Sequence, residues 1–209
     1  MQLLKEYNFY AAIDPGFEGA IGVMNRDGTT VKVWDMPNTP GEGKQREMDL
    51  AGLRSILVGL KRFPGVVLGI EWPRTWPGTF GDVAGHAERF GRGKGILEAF
   101  AFLLGFEYLK IDPLAWKQRL GLPGKTDPEA IPKAAALWDS IYPACVGLVR
   151  GPRGGIKDGR LDALLIAHYL RDQRPITPAV RRYGKDSPEA AAAILGWGGT
   201  RRSHRLRIR

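Results

Sequence analysis

The six residues from Val66 to Glu71 read VVLGIE, apolar at every position until the run ends in an acid. A strand with one wet face alternates apolar and polar residues. An unbroken apolar run instead suits a strand buried on both faces of a sheet, with helices covering each side. Three further runs lie upstream. Asn8–Asp14 (NFYAAID) ends in the turn Asp14-Pro15-Gly16. Gly19–Asn25 (GAIGVMN) is closed by Asp27-Gly28, a strong hairpin signal, and Thr30–Asp35 (TVKVWD) alternates. Short strands joined by tight turns predict an antiparallel meander, followed by a Pro/Gly-rich loop from Pro37 to Gln45.

From Asp49 the period changes. Leu50, Leu53, Ile56, Leu57 and Leu60 share one helical face, with Asp49 placed to cap it. After VVLGIE comes a loop rich in Trp, Pro and Gly, Trp72 to Asp82, and then a helix over Val83–Leu104. Phe106–Ile111 (FEYLKI) reads as a fifth strand, stopped by Asp112-Pro113. Pro113–Leu120 and Asp127–Ile141 read as helices, with Pro132 in the first turns of the second. Asp158–Arg171 is the last clear helix, carrying Leu161, Leu164, Leu165, Ala167 and His168 at helical spacing. The order βββ-α-β-α-β-α defines an α/β domain over residues 1–174. Residues 175–209 read as a basic, partly disordered extension. Its last ten residues hold five Arg and no acid, which suits non-specific phosphate contacts.

Four acids stand where chemistry is expected. Asp14 ends the first strand and Glu71 the fourth. Side by side, those strands would run parallel, ~4.8 Å apart. Their carboxylates would then emerge at one carboxyl edge, where open α/β sheets place their sites. Asp158 and Asp162 are four apart on one helix and share a face. Converging carboxylates repel unless cations lie between them, and hard oxygen ligands select Mg²⁺ or Mn²⁺. Two such ions ~3.5–4 Å apart activate water and stabilise the leaving oxygen of a phosphodiester. Each acid also has a plainer role: Asp14 in a turn, Glu71 at a rim, Asp158 as a helix cap. Asp162, between Leu161 and Leu164, is the hardest to explain without a charged partner or a metal.

Ile13-Asp14-Pro15-Gly16, Gly69-Ile70-Glu71 and Asp162-Ala163-Leu164-Leu165-Ile166-Ala167 resemble the RuvC-type Holliday junction resolvases. The segment PLAWKQRLGL, then Gly-Lys and an alanine-rich helix ending in Tyr-Pro, resembles the phage branch of that family. The likeness spans residues 8–172. It implies an RNase H-like fold: a mixed five-stranded sheet, a three-stranded meander plus two parallel strands, flanked by helices. It also implies a homodimer and divalent-metal cleavage of four-way junctions by paired nicks. By position, Asp14 and Glu71 become metal ligands. The family's last helix supplies two more acids, and Asp162 matches the second. Two departures stand out. The helix acids are three apart in the bacterial prototype and four apart here, which leaves Asp158 the less direct match. Pro128 stands roughly where the family has a lysine, a role that falls to Lys125 or Lys133, or is lost. Lys117 keeps the other basic position, for contact with the scissile phosphate.

The loop after Glu71 carries Trp72, Arg74, Trp76 and Phe80: aromatic rings to stack on or wedge between bases, and a guanidinium for phosphate. Packing beneath the loop or at a dimer interface is the alternative for the rings. Arg89, Arg92 and Lys94 lie within one or two helical turns, as a DNA-facing or simply solvated basic stripe. Gly121 to Thr126 imitates half a phosphate-binding loop, but it lacks both the glycine spacing and a preceding strand. His168 reads as core.

The 31 Lys and Arg against 22 acids, +9 in all, point to nucleic acid as partner. Cys145 is the single cysteine, so neither an internal disulfide nor a Cys-based zinc site is available. With neither a leader nor a membrane-length apolar run, the cytoplasm is expected, that of a bacterial host if the chain is phage-encoded. Three other functions share the scaffold. An actin-like ATPase needs a second lobe and a second phosphate loop. A non-catalytic DNA-binding protein predicts the loss of at least one acid, and all four are present. An RNase or transposase-like nuclease differs only in substrate.

Overall fold

The computed structural model describes residues 7–41, 46–73, 83–124, 126–172 and 181–183, with the backbone alone for 83–90 and 181–183. In chain order the elements are β1 (Phe9–Asp14), β2 (Ala20–Asn25), β3 (Val31–Asp35), β4 (Asn38–Pro40), β5 (Arg46–Met48), α1 (Leu50–Leu60), β6 (Val66–Glu71), α2 (Val83–Leu103), β7 (Glu107–Ile111), α3 (Pro113–Arg119), α4 (Ala130–Ile141), a 3₁₀ turn (Pro143–Val149), α5 (Asp158–Asp172) and β8 (Arg181–Tyr183).

The main sheet runs β3-β2-β1-β6-β7-β8. β1, β2 and β3 form the antiparallel meander, while β1, β6 and β7 are parallel. This is the RNase H-like mixed five-stranded sheet, extended by one short edge strand. That sixth strand, β8, pairs antiparallel with β7 and comes from the segment read as a C-terminal extension. The Pro37–Gln45 region is not all loop: Asn38–Pro40 pairs with Arg46–Met48 as a separate two-stranded hairpin. α4 begins at Ala130 rather than Asp127, because the Asp127 carboxylate accepts from the Glu129 N–H at 2.8 Å and forms a turn there.

Helices cover both faces of the sheet. On one side Leu53, Leu57 and Leu60 of α1 and Leu97 of α2 meet Ala11, Ile13, Leu68 and Ile70. Each fully buried leucine is worth ~1.5–3 kcal/mol. Asp49 caps α1 as expected, accepting from the Ala51 and Gly52 N–H groups, a contact worth ~1 kcal/mol. On the other side α5 and α4 meet Ala12, Met24, Val67 and Ile111. VVLGIE is buried from Val67 onward, as a strand covered on two sides must be.

α5 lies unusually close to the strands, and two glycines make room for it. A Cβ on Gly22 would sit 2.9 Å from Leu164 Cδ2. A Cβ on Gly159 would sit 2.0 Å from the Glu18 carbonyl oxygen. The first turn of α5 therefore rests directly on the turn that follows Asp14. Arg160 ties the same turn to the end of β3, its Nη2 lying 2.7 Å from Asp35 Oδ2. That guanidinium holds the Asp35 carboxyl below the usual carboxylate range.

Candidate active site

Strand register brings the first two acids together. Ile13 pairs with Ile70 in the parallel β1–β6 ladder, so Asp14 and Glu71 are the next pair, on strands ~4.8 Å apart. Side chains alternate along each strand. Asp14 therefore shares the face of Tyr10 and Ala12, the face beneath α5. Glu71 shares the face of Gly69, where a Cβ would meet Leu170 of α5. Asp14 is half-buried and its Oδ1 faces the Gly16 N–H at 3.4 Å. Glu71 is 8% exposed, a costly place for a carboxylate unless polar groups serve it.

Helix packing supplies the other two. Asp162 sits one turn into α5 on the flank of its buried stripe, its side chain 26% exposed. Lys117 Nζ lies 3.3 Å from its Oδ2. Asp158 is the first residue of α5, exposed, with Oδ1 accepting from the Gly159 N–H at 3.0 Å. α3 completes the arrangement. Its consecutive residues Trp116 and Lys117 reach Glu71 and Asp162 respectively, with the Trp116 indole Nε1 2.9 Å from Glu71 Oε1. The donor set is made of carboxylate oxygens, the chemistry that suits Mg²⁺ or Mn²⁺. Among the described residues no three Asp, Glu, His or Cys side chains gather as a ready-made metal site.

The basic and aromatic residues divide. Trp72 follows Glu71 and has two lysines near its ring: Lys110 Nζ 4.1 Å and Lys94 Nζ 4.9 Å from the ring centre. Lys94 is buried, and its amine donates to the Pro73 carbonyl at 3.1 Å, tying α2 to the start of the loop after Glu71. Burial, and then the charge of Lys110, hold its pKa below the usual lysine value. Lys110 is itself paired with Glu98 at 2.6 Å. Arg92 on α2 and Lys133 on α4 are exposed. Arg74, Trp76, Phe80, Lys125 and the Arg89 side chain lie outside the described residues.

His168 is buried, in keeping with a core role. Its Nδ1 faces two donors, the Tyr142 hydroxyl at 2.9 Å and Arg171 Nη2 at 3.0 Å, while Nε2 lies 3.3 Å from Asp172. Those partners suit the neutral ring protonated on Nε2. Burial lowers its pKa, with Arg171 adding to the effect and Asp172 opposing it.

Three residues at or beside this edge escaped sequence reasoning. Trp116 looks like core and is core, apart from one nitrogen. Arg160 sits between two acids on α5, and only its place beside Asp35 reveals it as an anchor. Phe17 is 40% exposed on the turn after Asp14, close to the sheet edge. The ring that follows Asp-Pro-Gly was the available signal.

Among solved structures, the chain is similar to Thermus thermophilus RuvC in complex with a Holliday junction substrate. The identity is 19%, over 85% of this chain and 100% of that one, with a TM-score of 0.51. The fold is that of RuvC. A second T. thermophilus RuvC structure matches at 20% identity, over 84% of this chain and 99% of that one, with a TM-score of 0.48. No protein-family model matches the chain, and no curated protein does. In RuvC-fold terms, Asp14 and Glu71 stand at the carboxyl edge of the central parallel pair, with α5 across them. Among the described residues no helix is long and apolar enough to cross a membrane.

Proposed function

We propose that the chain is a divalent-metal-dependent endonuclease that cuts branched DNA, four-way junctions foremost. The observation that carries this reading is the pairing of β1 with β6. It sets Asp14 beside Glu71 at one sheet edge, beneath the helix that carries Asp158 and Asp162. The RuvC neighbour bound to a Holliday junction and the +9 charge of the chain support DNA as the partner.

Asp14, Glu71, Asp162 and Asp158 are the residues to hold Mg²⁺, with Mn²⁺ as substitute. The ions would supply activation of water and neutralisation of charge at phosphorus. The chain does the rest. Register fixes the spacing of Asp14 and Glu71. The close seating of α5 on the turn after Asp14 supports Asp162 as a third ligand at that edge. Lys117 places a cation beside Asp162, where a phosphate would approach. Trp72, Arg92 and Lys133, with Arg74, Trp76, Phe80, Arg89 and Lys125, are candidates for contact with the DNA arms. Two copies of the chain, as a homodimer, would make the paired nicks.

The test compares a four-way junction, a Y-fork and linear duplex, each with Mg²⁺, Mn²⁺ or EDTA. Junction cleavage in Mg²⁺ or Mn²⁺, abolished by EDTA and by Asp14→Asn while junction binding persists, is the expected result. Equal cutting of all three DNAs replaces the junction reading with a general RNase H-like nuclease. Normal cutting by Asp14→Asn removes the assigned site.

A further inference from the structure

The Trp116 side chain is fully buried, yet its one polar atom is directed at a carboxylate. Indole N–H is a donor only, and a buried one needs a partner. Trp138, the other fully buried tryptophan among the described residues, meets that need with a backbone carbonyl, that of Cys145 at 3.3 Å. Trp116 takes Glu71 Oε1 at 2.9 Å instead.

The placement follows from the strand edge. Glu71 pairs with Ile111, and the Trp72 N–H donates to the Ile111 carbonyl at 2.7 Å, which locks the ends of β6 and β7 together. Asp112 then starts α3 at once, accepting from the Leu114 N–H at 2.9 Å, with Pro113 in the first turn. Trp116 falls one turn in, over Glu71. Lys117 follows it, with its amine 4.9 Å from the Trp116 ring centre and beside Asp162.

The last torsion of a glutamate is broad, so a carboxylate at the end of a strand is not aimed by its backbone alone. A lysine or arginine at this point would aim it but would also neutralise it and compete with a cation. A neutral N–H donor aims it and leaves the charge in place, and it favours the ionised form. We propose that Trp116 is the positioning residue for Glu71: its indole N–H orients the carboxylate toward Asp14 for a shared divalent cation without itself adding a positive charge. The proposal rests on the metal-dependent reading above.

The test uses the 209-residue chain without DNA. Trp116→Phe keeps an aromatic ring in the core and removes the donor. Partners of this kind contribute ~10–100-fold to metal affinity, so Mn²⁺ binding by calorimetry is expected to weaken about tenfold or more. The Mg²⁺ concentration for half-maximal junction cleavage should rise in step. The acid limb of the cleavage profile should move to higher pH, because a carboxylate without its donor protonates more readily. Wild-type Mn²⁺ affinity and an unmoved acid limb, in a variant with native circular dichroism and melting temperature, overturn the role. If Trp116→Phe does not fold, ¹H–¹⁵N spectra of the wild type decide. The Trp116 Nε1–H signal should be among the first of the six indoles to broaden with Mn²⁺. Its persistence while others vanish overturns the proposal. Glu71→Gln separates the two levels. If it binds Mn²⁺ as tightly as wild type, the metal site itself fails and Trp116 with it. If Glu71→Gln weakens binding and Trp116→Phe does not, only Trp116 is misassigned.

Discussion

Gly159→Ala should disable the proposed nuclease activity without touching a single acid. The Cα of Gly159 faces the backbone of the turn after Asp14. A Cβ there would lie 2.0 Å from the Glu18 carbonyl oxygen and 2.6 Å from the Gly19 Cα. A relaxed carbon–oxygen approach is ~3.3 Å or more, so the two backbones must part by roughly 1.3 Å. Neither neighbour is a flexible side-chain tip that can swing aside. The shift moves Asp158 and Asp162, on α5, away from Asp14, whose strand feeds that turn. A misplacement of ~1 Å in a catalytic constellation costs on the order of 10²-fold in rate. Overpacking of this kind also costs ~1–3 kcal/mol of stability, and each kcal/mol lowers Tm by about 2–4 °C in a chain of this length. Single-turnover cleavage of a four-way junction at saturating Mg²⁺ reads the first effect, and thermal melting reads the second. A variant that melts and cuts like wild type would show that α5 does not bear on the turn, and the placement of Asp162 at the edge would fall with it. The melting arm stands even if the substrate has been misjudged.

Gly95→Ala is the opposite case. Gly95 lies inside α2, and a Cβ added there would meet nothing within 4 Å, so alanine should stabilise the helix by up to ~1 kcal/mol and raise Tm; an unchanged or lower Tm would mean that something packs there. His168 gives a pH prediction. Its folded pKa lies below 6.5, because burial disfavours the imidazolium. As pH falls through about 6.5, the unfolded chain takes up a proton that the folded chain refuses, so stability declines until the folded pKa is reached. Urea midpoints measured from about pH 7 to about pH 5 should therefore drop more steeply for wild type than for His168→Gln. Parallel curves would refute the neutral buried ring.

Much of this architecture was legible because its signals are local. Alternation in Thr30–Asp35, the Asp27-Gly28 turn and the unbroken VVLGI run each imply a particular pairing. Once β1 and β6 are parallel, the Asp14–Glu71 juxtaposition needs no further information. What escaped detection depends on distant partners. Asn38–Pro40 and Arg46–Met48 have no apolar alternation and become strands only by pairing with each other. Arg181–Tyr183 is three residues long and gains its structure from the edge of β7. Lys94 belongs to a basic stripe by spacing, but its amine turns inward to the Pro73 carbonyl beside the Trp72 ring. The Trp116–Glu71 bond joins residues 45 apart, and only the docking of α3 at the strand end creates it.

The positions where local rules fail are themselves informative. A chain selected for stability alone would carry an apolar residue at 71, at the end of a buried strand, and would not place Asp162 between Leu161 and Leu164 beside a buried stripe. Burying a carboxylate costs several kcal/mol unless polar partners or ions compensate it. Here the compensation is specialised: a neutral indole N–H on Glu71, a lysine amine beside Asp162, and glycine at 159 so that α5 can seat directly on the turn after Asp14. Departures from good packing that converge on one place, each with its own supporting residue, are what a functional site looks like. Such departures concentrate at the carboxyl end of β1 and β6, which is why the proposed chemistry is assigned to that edge.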